Sequence, residues 1–192
     1  RNITCFNAPE GNRNAVAEHA LGMLLMLFNN LQSADREVRQ GTWDREGNRG
    51  IELDGKTVGI IGYGNNGSAF ARKLMGFDVR VLAYDKYKQG FSNGQVEECT
   101  IDYLQQESDV ISLHIPFTEE TSFMVDEGFI NACRKPFYLI NLSRGKIVST
   151  TNLVEGLNSG EVLGACLDVL EYESSSFENW LQGNTVPPDL DQ

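Results

Sequence analysis

The residues of this chain best suited to chemistry begin with Gly62-Tyr63-Gly64-Asn65-Asn66-Gly67. They stand between a strand-like Thr57–Ile61 and a helix-like Ser68–Met75. In such a Gly-x-Gly-x-x-Gly turn the first glycine allows a tight strand-to-helix reversal and the second admits a pyrophosphate close to the backbone. The third lets the helix pack closely, and the helix N-terminus offers free N–H groups to an anion. Asp85 follows 18 residues after Gly67, at the end of the alternation Val79–Tyr84. An acid there can accept from a ribose 2′-hydroxyl and would repel a 2′-phosphate, which predicts NAD over NADP, although Lys86 beside it weakens that preference. The alternative is a glycine turn that binds nothing.

The surrounding elements must hold these groups in one place. Beyond Gly55, expected strands Thr57–Ile61, Val79–Tyr84, Val110–Leu113, Phe137–Leu142 and Val162–Leu167 alternate with expected helices Ser68–Met75, Ile101–Gln106, Glu127–Cys133 and Asn152–Ser159. Gly76 and Gly160 are placed to cap helices, and Gly156 is a weakness inside one. This alternation predicts an α/β fold, a Rossmann-type doubly wound parallel sheet with helices on both faces. Ligands in such sheets gather at the carboxyl ends of the strands. That rule selects Gly62–Gly67, Asp85, His114–Thr118, Asn141–Lys146 and Asp168–Glu173.

Upstream, Thr4–Phe6 is a short strand candidate and Thr42–Asp54 a polar loop carrying Trp43. Between them Ala17, Leu21, Leu24, Leu25, Phe28 and Leu31 recur at helical spacing, in a helix that can run to about Gln40, with Asn12 or Asn14 as cap. A helix so apolar is buried on more than one side, which suggests a homodimer through Ala15–Leu31. The chain begins in mid-sequence and ends on an irregular stretch, 174–192, and it reads as part of a longer polypeptide.

Composition narrows the function classes. A net charge of −11 disfavours nucleic acid and anionic membrane as partners. The apolar run Ala20–Phe28 is nine residues, well short of the ~20 that span a bilayer. Cys5, Cys99, Cys133 and Cys166 are scattered, as expected of buried, reduced thiols in a cytoplasmic protein, and no metal site is expected. No Lys or Arg follows Lys146, whereas eight acids do. An anionic substrate would therefore need a local cation, and Arg144 is the candidate; its other reading is a surface partner for the acidic tail.

Five ordered segments resemble the D-isomer-specific 2-hydroxyacid dehydrogenases: Asn14–Gly22, Leu53–Gly62, Leu113–Thr118, Asn141–Gly145 and Gly164–Val169. Within that family Asn7–Asn12 looks most like the 3-phosphoglycerate dehydrogenases. The resemblance implies that the chain, 1–192, is the NAD-binding domain of a larger two-domain enzyme. Segments 1–12 and 174–192 would be crossover or irregular, and the substrate domain would lie outside the chain. It further implies that Arg144 grips the substrate carboxylate and carbonyl, that Glu173 holds a catalytic histidine, and that Asp168 meets the nicotinamide carboxamide. His114, Pro116 and Thr118 would lie beside the nicotinamide ribose, and Asn141 and Ser143 would also bind the cofactor. Glu173 also belongs to a run of exposed-looking acids. Neither His19 nor His114 matches the family's acid–base histidine, so the chain alone is expected to be inactive. Two departures stand out: Asn66 replaces the usual aliphatic residue before the third glycine, implying looser helix packing, and Ser174 replaces a frequent Pro. A D-2-hydroxyacid dehydrogenase, with 3-phosphoglycerate favoured over lactate or glycerate, is the leading reading. An NADH-sensing corepressor of similar fold and a bare nucleotide-binding module are the alternatives.

Overall fold

A computed structural model describes residues 4, 6–8 and 10–172. Six parallel strands form one sheet: β1 (Thr57–Ile61), β2 (Arg80–Tyr84), β3 (Val96–Glu98), β4 (Val110–Leu113), β5 (Phe137–Asn141) and β6 (Val162–Leu167). Their order is β3-β2-β1-β4-β5-β6, so the chain reverses its direction of growth between β1 and β4. The helices are α1 (Arg13–Phe28), α2 (Leu31–Arg39), α3 (Asn65–Leu74), α4 (Ile101–Glu107), α5 (Glu127–Ala132) and α6 (Thr150–Ser159).

The period of two along each strand divides the core into two layers. Val58 and Ile60 of β1, Val110 of β4 and Ile140 of β5 face Ala17, Leu24 and Phe28 of α1 and Phe70 and Leu74 of α3. Ile61, Ile111, Leu113 and Leu139 face the opposite way, onto Leu104 of α4, Phe129 and Ile130 of α5, and Leu153 of α6. The sheet is therefore covered on both faces, the condition under which parallel strands read as continuous apolar runs.

Several boundaries differ from expectation. The apolar helix does not run to Gln40: it ends at Phe28, and Asn30 adopts a left-handed conformation (φ 50°) before α2 begins. Asparagine tolerates that conformation, and Asn29 Nδ2 adds a bond to the Leu25 carbonyl at 2.9 Å at the helix end. Asn12 sits at the N-terminus of α1, but its side chain caps nothing. Ala17, Ala20, Leu24 and Phe28 are buried, while Gly22 and Met26 are exposed, so α1 is sunk on one face within the chain. Gly160 ends α6 in the left-handed region, as expected, but Gly76 does not cap α3, which ends at Leu74 with right-handed Met75. Gly156 is explained by packing: a Cβ there would lie 3.0 Å from Val162 and 3.3 Å from Ile130. The short edge strand β3 had no signal, since Val96 alone of its three residues is buried. Thr4 and Phe6 are not in a strand; Cys5 and Pro9 lie outside the described residues.

Candidate functional site

All five selected segments follow the carboxyl end of a strand: Gly62–Gly67 after β1, Asp85 after β2, His114–Thr118 after β4, Asn141–Lys146 at β5 and Asp168 onward after β6. They form one edge of the sheet. Glu173, Ser174 and the remaining tail lie outside the described residues. An open cleft of ≈ 710 Å³ is lined by Asn66, His114–Phe117, Leu142–Lys146, Leu170 and Glu171.

The glycine turn divides its requirements in an informative way. Gly62 has φ 94°, and a Cβ there would lie 2.5 Å from the His114 carbonyl oxygen. A Cβ at Gly67 would lie 2.0 Å from the Gly62 carbonyl oxygen. The protein itself thus explains the first and third glycines. Gly64 meets nothing within 4 Å and caps α3 with an extended backbone, so its lack of a side chain leaves space at the helix N-terminus for a ligand. Asn66 stands off the buried face of α3, which Gly67, Ala69, Phe70, Ala71 and Leu74 form.

Asp85 joins two loops. One oxygen accepts from Tyr63 N–H at 2.8 Å; the other accepts from the N–H groups of Tyr87 and Lys88 at 2.9 and 3.0 Å. Four lone-pair positions against three donors leave capacity for a hydroxyl. The Tyr63 ring is turned away from the cleft, stacked on Phe91 at 4.4 Å beneath the Lys88 ammonium. Lys86, the residue that weakened the NAD preference in sequence, is paired with Glu120.

At β5, Ser143 Oγ donates to the Leu113 carbonyl at 2.8 Å and accepts from Ile115 N–H at 3.2 Å, binding the loops after β4 and β5 together. Buried Asn141 braces the same turn: its Oδ1 accepts from Ser143 N–H and its Nδ2 donates to the Arg144 carbonyl. These two residues shape the site from inside the protein. Gly145 is obligatory, since a Cβ would lie 1.8 Å from the Leu170 carbonyl oxygen. The Leu170 backbone thus lies close against the turn that presents Arg144. The guanidinium is exposed on the cleft, donates to its neighbour's carbonyl at 2.6 Å, and forms no ion pair among the described residues. Lys146 lines the same cleft. The carboxylate of Glu171 accepts from Thr150 N–H at 2.8 Å, an arrangement without a sequence signal.

The two histidines are both engaged. His114 is packed against Phe70, its Nε2 lies 2.9 Å from Ser112 Oγ, and burial lowers its pKa to about 4. It is a neutral wall of the cleft at physiological pH. His19 Nε2 lies 3.3 Å from Asp168 Oδ1, a contact between α1 and the end of β6 that sequence did not reveal. Pro116 lines the cleft; Thr118 holds a turn with Thr121 outside it. Among the described residues no three His, Cys, Asp or Glu side chains gather as a metal site, and no helix is long and apolar enough to cross a membrane. Burial raises the thiols of Cys99, Cys133 and Cys166 to about 11, 12 and 11, keeping them protonated.

Comparison with known proteins adds the chemical context. Residues 21–187 match the D-isomer specific 2-hydroxyacid dehydrogenase family, NAD binding domain. A D-3-phosphoglycerate dehydrogenase of Archaeoglobus fulgidus is 38% identical over 181 residues, covering 93% of this chain and 34% of that protein. A glyoxylate reductase of Thermofilum pendens is 37% identical over 180 residues, covering 90% of this chain and 53% of that protein. A D-lactate dehydrogenase of Aquifex aeolicus, solved with NAD and lactic acid, superposes with a TM-score of 0.81 at 33% identity, covering 91% of this chain and 54% of that one. The chain spans about a third to a half of the length of the curated relatives it matches.

Proposed function

This chain belongs to the D-isomer-specific 2-hydroxyacid dehydrogenases and carries their NAD-binding domain, and we propose that the whole protein oxidises D-3-phosphoglycerate, or reduces its 2-oxo acid, with NAD as hydride carrier. The observation that carries this reading is Arg144: an exposed guanidinium, without an ion pair among the described residues, set on the cleft by the Asn141–Gly145 turn in a protein of net charge −11. A planar guanidinium can hold the carboxylate of a 2-oxo acid bidentately and polarise its carbonyl. Lys146, on the same cleft, supplies a second positive charge, which suits an acid with two anionic groups, a carboxylate and a phosphate.

The residues present fit the cofactor. Gly64 leaves the helix N-terminus open to a pyrophosphate, and Asp85 keeps acceptor capacity for a ribose hydroxyl. When bound, NAD supplies the hydride acceptor; the chain supplies position and charge. We read Asp168 as a contact for the nicotinamide carboxamide and Glu173 as the partner of a histidine in the missing part. Within this chain His114 is enclosed and His19 is paired with Asp168, so neither is placed to carry the substrate proton. We read the 1–192 chain as inactive alone, and the whole protein as cytoplasmic.

The test is steady-state turnover of the full-length protein with NADH and, in turn, 3-phosphohydroxypyruvate, hydroxypyruvate and glyoxylate. The expected result is highest kcat/KM with 3-phosphohydroxypyruvate, falling about a hundredfold or more in Arg144→Lys because the bidentate fork is lost. Preference for glyoxylate would refute the substrate. NADH binding without turnover of any oxo acid would favour a sensing role.

A further inference from the structure

Two buried side-chain oxygens among the described residues lack a hydrogen-bond partner, Ser108 Oγ and Asn66 Oδ1. The Ser108 hydroxyl lies under Gly59, where α4 packs on β1, away from the cleft. Asn66 lines the cleft. An unpartnered buried amide oxygen costs stability that an apolar side chain of similar size would not cost, and the helix does not need it, because Asn66 is off the buried face of α3. The other end of the amide, Nδ2, bonds no described residue and is not among the enclosed unpartnered atoms, so it is accessible, on a residue that lines the cleft. The side chain therefore turns its carbonyl inward and offers its N–H groups to whatever the cleft holds.

Its neighbours indicate which part of a ligand that is. Asn66 shares the cleft with His114–Phe117 and Leu142–Lys146, the loops after β4 and β5. Asp85 stands on the opposite side of β1, after β2. A dinucleotide crosses the crevice where the strand order reverses, so with its adenosine ribose at Asp85 its nicotinamide lies on the Asn66 side. Anionic groups on that side already have Arg144 and Lys146, and phosphates have the backbone N–H groups of α3. A neutral amide donor is suited to a neutral acceptor. We propose that the Asn66 side chain donates a hydrogen bond to the carboxamide oxygen of bound NAD and so reads the nicotinamide end of the cofactor. The proposal rests on the assignment of the Gly62–Gly67 turn and Asp85 to that cofactor.

The test compares calorimetric titrations of this chain with NADH and with ADP-ribose, which keeps the adenosine, pyrophosphate and second ribose but lacks the nicotinamide. Asn66→Ile removes the amide at similar size, and Asn66→Ala removes it without adding bulk. The expected result in both is NADH binding weakened about tenfold, the weight of one enclosed hydrogen bond, with ADP-ribose unchanged within twofold. The ligand-free variants should melt no lower than the parent, because an unpartnered buried oxygen has been removed. Unchanged NADH affinity overturns the proposal. An equal loss for both ligands also overturns it, by placing the effect in the phosphate turn. Wild-type protein binding neither ligand would overturn the cofactor assignment itself, a result distinct from either.

Discussion

His114 shows what a single residue's environment does to its chemistry. The sequence placed it at a strand end among cofactor-facing groups; the structure packs its ring on Phe70 and Ser112 and burial lowers its pKa to about 4. In the unfolded chain the imidazole binds a proton near pH 6.5, whereas the folded chain resists it until about pH 4. The unfolded state therefore gains protons first as pH falls. Stability is full above about pH 6.5 and declines below it, by about 3 kcal/mol from this residue once pH reaches 4. The difference in unfolding free energy between wild type and His114→Gln, measured from pH 7 to pH 4.5, should shrink as pH falls. A constant difference would refute a buried neutral histidine. Asp85 shows the converse: its type and spacing were legible, and Tyr87 and Lys88 bond it in a local turn, but its bond from Tyr63 N–H was not legible, because the loops after β1 and β2 meet only in the folded chain.

At the scale of elements, the strand–turn–helix of β1, Gly62–Gly67 and α3 can be dissected glycine by glycine. At Gly67 a methyl group would meet backbone at 2.0 Å, so Gly67→Ala should destabilise the protein by about 1–3 kcal/mol through overpacking. At Gly64 a methyl group meets open space and φ is −83°, so Gly64→Ala should change stability by less than about 0.5 kcal/mol. The same methyl occupies the space a pyrophosphate needs, so Gly64→Ala should lose NADH binding while melting normally. Thermal denaturation and NADH titration of the two variants, side by side, check this. A Gly64→Ala variant with parental affinity would show that the open space at the helix N-terminus is not used. The break between α1 and α2 belongs to this scale too: apolar periodicity continued across Asn29-Asn30, and the left-handed conformation of Asn30 ended the helix.

At the scale of the whole molecule, α1 and α2 present an outer face to solvent. Met26, Leu31 and Val38 are exposed there, Trp43 on the loop after α2 is 81% exposed, and Leu163 is exposed on the edge strand β6. Large apolar side chains exposed on two packed helices suit an interaction surface. We propose that a second copy covers them in an isologous dimer. Light scattering should give twice the chain mass, and Met26→Glu combined with Leu31→Glu should give the monomer with its fold intact by circular dichroism. A monomer mass at every concentration of the wild-type chain would refute the dimer.

Local physics was sufficient for much of this protein. The alternation of apolar runs with helical segments gave the parallel sheet and placed β1, β4 and β6 within their observed bounds, because strands covered on both faces carry that pattern in the residues themselves. The glycine turn, Asp85 and the arginine turn were legible for the same reason: each demands particular residue types at fixed short spacing. Tertiary structure alone decided the rest. Residues distant in the chain set the contact of His19 with Asp168, the bond from Ser143 Oγ to the Leu113 carbonyl, the close approach of the Leu170 carbonyl to Gly145, and the neutral state of His114. Desolvation and close approach depend on which surfaces meet, and a one-dimensional spacing does not record them.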